Sequence, residues 1–332
     1  MNIFLTGSEG FIGSHLAERL VKDGHKIKCL VQYNFLNNYG WLETIDKNVL
    51  NQIEIVSGDI RDKEFIEKSI NKKTEIVFNL AALIGIPYSY HAPQSYIDTN
   101  VNGLLNILSV SKKLKNLKSL IHTSTSEVYG TPEKLPITEK HQLSAQSPYA
   151  ASKIAADHLA LSFFKSFKLP IKIVRPFNTY GPRQSTRAII PTIITQSLQK
   201  NKISVGSIFP TRDFVYVSDT VNGFIKSINN KKIIGEVVNL GTGFEISIKE
   251  LISIIGNIIG IKIKIEQSKV RKRPNDSEVK RLVASNKKAK KLLNWSPNYS
   301  GKDGLKQGLK QTVNWYKIAK NLRSFKTKNF TY

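Results

Sequence analysis

Two residues with acid–base side chains, Tyr149 and Lys153, stand four positions apart in the segment SPYAASK. Residues at this spacing lie on one face of an α-helix. An ammonium group beside a phenol favours the phenolate, and a phenolate can accept a proton near neutral pH. The same spacing also occurs on helices without any chemistry, where both side chains are simply solvated. The spacing alone therefore does not indicate catalysis; it does so only in combination with other polar residues of the chain.

A second group of reactive side chains precedes the pair, in STSEVYG from Ser124 to Gly130. It follows the apolar run LKSLIHT, which predicts a buried strand. Polar residues grouped at the end of a strand indicate either a turn or an active site. Thr125, Ser126 and Glu127 offer two hydroxyls and a carboxylate, which can orient a substrate hydroxyl and move protons.

The turn TGSEGFIG, with Gly7, Gly10 and Gly13, has the composition of a nucleotide-binding turn. Glycines let the backbone approach a pyrophosphate, and the N-terminus of the next helix favours its negative charge. The spacing is GxxGxxG rather than the commoner GxGxxG, and a glycine-rich turn alone is weak support. Its place between the first predicted strand and the first helix predicts that the protein binds NAD or NADP. Phe11 and Ile12 belong to the same predicted site.

The ends of the next two predicted strands bear on the choice of cofactor. Sites that prefer NAD usually carry Asp or Glu at the end of the second strand, where it binds ribose hydroxyls. This chain has Val31 and Gln32 there, and Asn34 follows as a further candidate for the ribose contact. Because no carboxylate would repel a 2′-phosphate, the sequence favours NADP, although no arginine is present to bind that phosphate. Asp59, after the third strand, is predicted to accept from the adenine amino group and to cap the next helix.

These motifs lie in a chain whose apolar segments alternate between strand and helix patterns. The alternation predicts an α/β fold with a doubly wound, Rossmann-like parallel sheet covered on both faces. We predict this domain over residues 1–180, rejoined by a strand near 235–241. Residues 181–316 should form mainly a smaller α/β substrate-binding lobe, and residues 317–332 a basic, mobile tail.

Composition narrows the possible classes of function. The chain has 332 residues, 40% of them hydrophobic, and no apolar run long enough to span a membrane. The N-terminus lacks a signal-peptide pattern. A single cysteine, Cys29, excludes an internal disulfide and a cysteine-rich metal cage, so we expect a cytoplasmic protein without a metal. The net charge of +25 comes from scattered lysines, which favours a phosphorylated small molecule over nucleic acid as partner.

Taken together, the motifs resemble those of extended short-chain dehydrogenase/reductases that act on nucleotide sugars. They are TGSEGFIGSHL, GDIRD, NLAA, TNVNG, STSEVYG, PYAASK, RPFNTYGPRQ, RDFVYVSDT and NLGTG. The resemblance covers nearly the whole chain. It implies an NAD or NADP molecule that stays tightly bound and is recycled. It also implies a homodimer packed through two long helices, here about 95–114 and 147–166.

The resemblance further implies binding roles for individual residues. Lys153 would hydrogen-bond the nicotinamide ribose. The other cofactor positions follow the third and fourth strands or lie on the first long helix: Asp59, Ile60, Leu80, Ala81, Ala82 and Asn100. Four residues would contact the nucleotide sugar: Asn178, Arg187, Arg212 and Arg273. Arginine suits such a site because its guanidinium binds phosphate in a bidentate manner.

The family's chemistry would assign a task to each reactive residue. Thr125 would hydrogen-bond the 4-hydroxyl of the sugar, and Tyr149 would take its proton while a hydride leaves C4. In the 4,6-dehydratases, a Glu at the position of Glu127 removes the C5 proton, the C6 hydroxyl leaves as water, and the hydride returns to C6. Ser126 stands where many glucose-nucleotide dehydratases carry an Asp as the acid, so water or Glu127 must supply that proton.

Alternative chemistries stay open within this resemblance. Hexose 4-epimerases usually lack the Glu. UDP-glucuronate decarboxylases share Thr-Ser-Glu, but tend to carry Arg after the catalytic Lys, where this chain has Ile154. We therefore predict a 4,6-dehydratase, similar to GDP-mannose dehydratases and to those of the legionaminic-acid pathway, with GDP- or UDP-N-acetylglucosamine as substrate. A non-catalytic NAD(P)-sensing or RNA-binding relative is disfavoured because every catalytic residue type is present.

Overall fold

The computed structural model describes residues 1–268, 271 and 274–325. The strands in this part of the chain are β1 (Asn2–Thr6), β2 (Lys26–Gln32), β3 (Ile53–Gly58), β4 (Ile76–Asn79), β5 (Ser119–Thr123), β6 (Ile171–Pro176), β7 (Asn178–Tyr180), β8 (Lys202–Val205), β9 (Thr211–Tyr216), β10 (Val237–Leu240), β11 (Glu245–Ser247), β12 (Lys264–Gln267) and β13 (Arg281–Leu282). The predicted Arg273 site and residues 326–332 lie outside the described residues.

The α-helices are α1 (Phe11–Lys22), α2 (Lys47–Leu50), α3 (Lys63–Ser69), α4 (Ile86–Ser89), α5 (Pro93–Tyr96), α6 (Gly103–Ser111), α7 (Pro148–Phe167), α8 (Ile189–Gln199), α9 (Val217–Ser227), α10 (Ile248–Ile259), α11 (Lys287–Leu293), α12 (Gly301–Lys317) and α13 (Ala319–Arg323). Shorter 3₁₀ turns occupy Gly40–Thr44, Ser126–Tyr129, Lys231–Ile233 and Asn275–Ser277, and Ile97–Asn102 is π-helical.

A seven-stranded parallel sheet forms the centre, in the order β10-β6-β5-β4-β1-β2-β3. The chain moves outward from β1 in one direction through β2 and β3, and in the other through β4, β5 and β6. The order therefore reverses between β1 and β4, and ligands of such sheets bind outside the carboxyl ends of the strands at that switch point. The doubly wound, Rossmann-like prediction is confirmed.

Apolar side chains cover both faces of this sheet, as expected for a parallel sheet under two layers of helices. In β1, Ile3 and Leu5 join one core cluster and Phe4 the other, because successive side chains of a strand point to opposite faces. All residues of β4 and of β6 are buried. The sheet is thus rigid where its carboxyl ends carry the reactive residues.

The segment after β6 builds smaller sheets. Strand β9 pairs with β7, β11 and β13, while β8 pairs with β12. The strand expected near 235–241 is β10, which leaves these smaller sheets and pairs in parallel with β6 at the edge of the central sheet.

Two long helical segments flank the catalytic strands. The segment expected at 95–114 runs from Pro93 to Ser111, and its middle third, Ile97–Asn102, is π-helical. Helix α7 closely matches the expected range 147–166. It begins at Pro148 behind Ser147, whose side chain accepts from the Ala150 N–H, and ends before Lys168 in a left-handed conformation. Serine before proline is a strong helix start, which explains the good match.

The basic tail expected from residue 317 onward begins as ordered structure. Lys317 ends α12, and Ala319–Arg323 forms α13. Phe325 then packs against Trp41, with ring centroids 5.4 Å apart, and against Trp315. The lysine-rich composition of the predicted tail thus did not indicate α13 or this aromatic contact, and its mobility stays a prediction.

Candidate active site

The glycine-rich turn joins β1 to α1 at the switch point of the sheet. Gly7 has a φ of +69°, and a Cβ added there would lie 2.7 Å from the main-chain nitrogen of Ala81. A Cβ on Gly13 would lie 2.0 Å from the Gly7 carbonyl oxygen. Gly10 caps α1 without any side-chain hydrogen bond. The backbone can therefore approach a pyrophosphate closely at the N-terminus of α1, as a dinucleotide site requires.

The opposite wall of this crevice is the end of β4. The Thr6 hydroxyl accepts from the N–H groups of Leu80 and Ala81, at 3.2 and 3.1 Å, and donates to the Asn79 side chain. Ala82 follows in the same half-buried segment. The small residues predicted at this wall thus face the glycine turn across the switch point. The described residues fit a bound NAD or NADP.

The adenine end of the predicted site contains an ion pair. The Asp59 carboxylate binds the Arg61 side chain at 2.6 Å and also accepts from the Arg61 N–H. Asp59 does not cap α3, contrary to the sequence analysis; Asp62 does, by accepting from Phe65. The side-chain amide of Asn34 donates to the carbonyl oxygens of Gln32 and Asn38, so it holds its own loop together.

The catalytic strand end supports the reactive residues predicted from STSEVYG. Thr125 and Glu127 are partly exposed at the end of β5, whereas Ser126 between them is only 3% exposed. Beyond the effect of burial, Thr125 and Glu127 both lie close enough to Tyr149 to shift the pKa of its phenol, the Thr125 side chain downward and the Glu127 carboxylate upward. The structure therefore brings Thr125, Glu127 and Tyr149 together, and turns Ser126 into the protein.

Lys153 lies one turn after Tyr149 on α7, and its ammonium donates to the Thr123 carbonyl oxygen at 2.6 Å. Burial lowers the pKa of Lys153 to about 8, opposed by the negative charge of Asp157. Burial also raises the pKa of Tyr149. Lys153 was expected to favour the phenolate; in the structure, desolvation is the largest influence on the phenol and favours its neutral form.

Asn100, another predicted cofactor residue, connects the loop after β4 to α7. Its side chain accepts from the Leu83 N–H at 2.8 Å and donates to the Leu83 carbonyl and to Ser152. Ser152 in turn donates to the Tyr149 carbonyl. Asn100 lies within the π-helical segment, and such segments are frequent at functional sites. Asn100 thus links the loop after β4 to α7 close to Tyr149.

A buried charge cluster behind the site escaped the sequence analysis. Asp157 accepts from Ser124 at 2.6 Å and from the Arg175 guanidinium at 2.8 and 3.1 Å. The other carboxylate oxygen faces Nε2 of His122 at 3.5 Å. These groups hold the pKa of Asp157 down to about 2 despite its burial. Asp157 is one turn beyond Lys153, a spacing that could have drawn attention to it.

The cluster extends through the sheet to the glycine turn. The Asn79 amide donates to Nδ1 of His122 at 3.2 Å, and Asn79 accepts from Thr6 at 3.0 Å. The proton of His122 therefore lies on Nε2 and faces Asp157. Burial lowers the pKa of His122 to about 4, so its ring is neutral near pH 7. The cofactor turn and the catalytic helix are joined by one polar chain.

Replacing Asp157 by Asn should destabilise the fold by about 3–5 kcal/mol, because Arg175 would keep its charge in a buried place without the carboxylate. Urea unfolding of both proteins would measure the difference. Asp23→Asn is the matched control, since it breaks the exposed Arg19–Asp23 pair, worth about 0.2–1 kcal/mol. Equal loss in the two variants would contradict the assigned importance of the buried cluster.

The predicted substrate residues lie on β7, on β9 and before α8. Asn178 is half-buried and donates to the Asp213 carbonyl at 3.3 Å. Arg212 is 7% exposed and pairs with Glu278 at 3.2 Å, while Arg187 is exposed. The segment with Glu278 is tied to the catalytic helix, because Ser277 donates to the Gln146 carbonyl and bonds Tyr90. Arg212 therefore lies in a network that the sequence did not indicate.

Comparison with known proteins identifies the family. The sequence matches the family model for GDP-mannose 4,6 dehydratase over residues 4–308. The chain belongs to this family of nucleotide-sugar dehydratases and epimerases. This confirms the resemblance read from the motifs. The enzyme has no helix, among those described, that is long and apolar enough to cross a membrane.

Relatives of this enzyme differ in the reaction they are named for. A putative UDP-glucose 4-epimerase of Methanocaldococcus jannaschii is 35% identical over 320 residues, 95% of this chain and 98% of the relative. A UDP-N-acetyl-alpha-D-glucosaminuronate decarboxylase of Bacillus cytotoxicus is 34% identical, covering 96% and 98%. The crystal structure of dTDP-glucose 4,6-dehydratase from Bacillus anthracis in complex with NAD has a TM-score of 0.85 and 29% identity, covering 98% of this chain and all of that one. The NAD in that structure supports NAD(H) binding here.

Proposed function

We propose that this enzyme is an NAD-dependent nucleotide-sugar 4,6-dehydratase. The observation that carries the proposal is the position of Glu127 beside the Thr125–Tyr149 pair at the end of β5. One base is enough to oxidise and reduce C4. A second base on the same side of the site supports chemistry at a neighbouring carbon, as removal of the C5 proton requires.

Oxidation of C4 is the task of Tyr149 and Thr125. Thr125 orients the 4-hydroxyl, and Tyr149 accepts its proton. An NAD⁺ held at the glycine-rich turn would supply the acceptor and later donor for the hydride from C4, and its positive ring charge would oppose the effect of burial on the phenol. The Lys153 ammonium, held by the Thr123 carbonyl, is positioned for the ribose next to the nicotinamide.

Elimination of water is the task of Glu127. Its carboxylate takes the C5 proton, which the new 4-keto group has made acidic, and the C6–O bond breaks. Glu127 then delivers that proton to the departing hydroxyl, so water leaves and the carboxylate is restored. Ser126 is buried, whereas its neighbours Thr125 and Glu127 are partly exposed, which supports Glu127 rather than Ser126 as the proton donor. After the hydride reaches C6, C5 takes a proton from solvent, and Tyr149 releases to solvent the proton that it accepted from the 4-hydroxyl.

The substrate class follows from the cationic residues. Arg212 on β9 and Arg187 before α8 fit the diphosphate of a nucleotide sugar, and the net charge of +25 draws anions to the surface. We assign GDP- or UDP-linked N-acetylglucosamine as the best candidate. Incubation with a panel of GDP-, UDP- and dTDP-sugars, followed by mass spectrometry, tests this: one sugar should lose one water and nothing else.

Decarboxylation is the second candidate, favoured by the decarboxylase relative at 34% identity. A decarboxylase must hold a sugar carboxylate. Ile154, the neighbour of Lys153, supplies no cation for it. Loss of carbon dioxide from a uronic-acid nucleotide, without loss of water from any hexose nucleotide, would replace the dehydratase proposal. A change of configuration at C4 without loss of mass would instead establish an epimerase.

We also propose a homodimer formed through α7 and the helical segment from Pro93 to Ser111. Large apolar side chains remain exposed along these helices: Ile97 and Leu105 at 39%, and Phe167 at 48%. Sedimentation equilibrium should therefore give twice the chain mass. Leu105→Lys should shift the distribution toward monomer, since a charge replaces an apolar contact. Ile265→Lys is the control for an exposed apolar residue outside these helices; a wild-type monomer would exclude the dimer.

A further inference from the structure

Glu9 lies at the end of the second strand although it belongs to the glycine-rich turn. One oxygen of its carboxylate, Oε1, accepts from the main-chain N–H of Gln32 at 3.1 Å. Gln32 is the last residue of β2. In folds of this kind, the end of β2 is where a carboxylate binds the hydroxyls of the adenosine ribose. Glu9 thus brings an acid to the place where Gln32 supplies none.

The position of Glu9 is fixed by main-chain contacts on both sides. Its carbonyl oxygen accepts from the Trp41 N–H at 3.0 Å. The loop between Gln32 and Trp41 is held by the side-chain amide of Asn34, which donates hydrogen bonds to the carbonyl oxygens of Gln32 and Asn38. The loop is therefore stabilised by its own hydrogen bonds, and the Glu9 carboxylate makes no hydrogen bond to the Asn34 side chain. A carboxylate held in this way is preorganised for a ligand.

The second oxygen of the carboxylate lacks a partner. Oε2 of Glu9 is shielded from solvent and accepts no hydrogen bond from any described residue. Glu9 forms no ion pair with a described lysine, arginine or histidine, and burial raises its pKa. A buried acceptor without a donor is costly, and a native structure rarely keeps one without a reason. A hydroxyl donor from a ligand would satisfy this oxygen.

We propose that Glu9 makes the cofactor site select NAD over NADP, by accepting a hydrogen bond from the 2′-hydroxyl of the adenosine ribose. The inference rests on the NAD dependence in the proposed function. NADP carries a phosphate at this hydroxyl, which removes the donor and sets a second negative charge beside the carboxylate. No described cation pairs with Glu9 to offset that repulsion. The expectation of NADP rested on the lack of a carboxylate at the end of the second strand and did not consider the glycine-rich turn.

The test is a comparison of dinucleotide affinities for the dinucleotide-free protein, measured by calorimetry with NADH and NADPH. Wild-type protein should bind NADH about 10- to 100-fold more tightly, the effect of one charge-assisted hydrogen bond and one repulsion. Glu9→Gln keeps the size of the side chain and removes its charge. Its preference for NADH should fall by about 10-fold, through weaker NADH and tighter NADPH binding.

Glu43→Gln is the matched control, because Glu43 is a carboxylate of the same loop that accepts from the Tyr39 N–H. It should keep the wild-type preference. The dinucleotide released from denatured wild-type protein, identified by mass spectrometry, should be NAD; this readout needs no variant to fold. Equal affinity of wild type for both cofactors, release of NADP, or an unchanged preference in Glu9→Gln would each overturn the inference.

Failure of this inference and failure of the proposed function are distinguishable. Binding is measured without any sugar, so an epimerase or decarboxylase would still show the preference for NADH. A protein that removes water from a nucleotide sugar but binds NADPH equally well would overturn the role of Glu9 alone. Binding of neither dinucleotide would overturn both.

Discussion

The Glu127→Gln variant should oxidise C4 of the substrate and then stop. Glutamine keeps the shape of the side chain but cannot accept the C5 proton, and loss of a general base costs about 10²–10⁴-fold in rate. Tyr149 and Thr125 remain, so the first hydride transfer still occurs. Stopped-flow absorbance of reduced nicotinamide should therefore rise with substrate and stay high, while the dehydrated product forms at least about 100-fold more slowly.

Two checks separate this outcome from general damage. Glu133→Gln changes an exposed carboxylate of the same polar region and should leave product formation unchanged. In heavy water, the wild-type product should carry deuterium at C5, because C5 is reprotonated from a group that exchanges with solvent, and protium at C6, where the hydride arrives. Near-normal turnover by Glu127→Gln, or an unlabelled C5, would refute the assignment of Glu127 and with it the dehydratase proposal.

The Tyr149→Phe variant should lose about 10²–10⁴-fold in kcat while binding substrate almost as well as wild type. The ring stays in place and keeps its edge contact with Tyr96, at 6.1 Å between centroids, so only the proton acceptor is lost. In contrast to Glu127→Gln, this variant should fail before any reduced nicotinamide forms. Steady-state kinetics and single-turnover absorbance would measure both effects.

Tyr299→Phe is a suitable control for removal of a phenol hydroxyl. The Tyr299 hydroxyl accepts from the Gln311 side chain at 2.8 Å, far along the chain from the catalytic strand. It should retain wild-type kcat. If Tyr149→Phe kept normal turnover, or reduced the cofactor at the wild-type rate, Tyr149 would not be the base for the 4-hydroxyl.

The architecture was predictable from local sequence, since its signals are short. TGSEGFIG lies between a strand and a helix, and SPYAASK begins with a serine cap and a proline, so each motif indicates its own element. The grouping of Thr125 with Tyr149 came from the resemblance to the family, since Tyr149 lies on α7 and not at the end of a strand. What the sequence could not supply was the protonation of Tyr149, which depends on how deeply the folded chain buries it.

Features that depend on distant contacts escaped prediction. The Asp157 cluster draws residues from β4, β5, β6 and α7, and no spacing in the sequence links His122 to Arg175. No role was predicted for Glu9, because its contact with the end of β2 depends on the nearness of Gln32 in the fold. Arg212 was predicted to contact the nucleotide sugar, but its pairing with Glu278 was not predicted. In each case the partner is far away in the chain and only the tertiary structure brings it near.

The polar chain from Thr6 through Asn79 and His122 to Asp157 has a consequence for the cooperativity of the molecule. Opening α7 alone would remove the Asp157 carboxylate from the cluster and leave the buried Arg175 guanidinium and His122 imidazole in the sheet without it, a state of high free energy. Local unfolding of α7 alone therefore has a high free energy. We expect α7 to separate from the sheet only when β1 and β4 also unfold. Amide protons of α7 and of the glycine-rich turn should consequently exchange in a single cooperative unit. The turn and the helix that carries Tyr149 would then fold and unfold together.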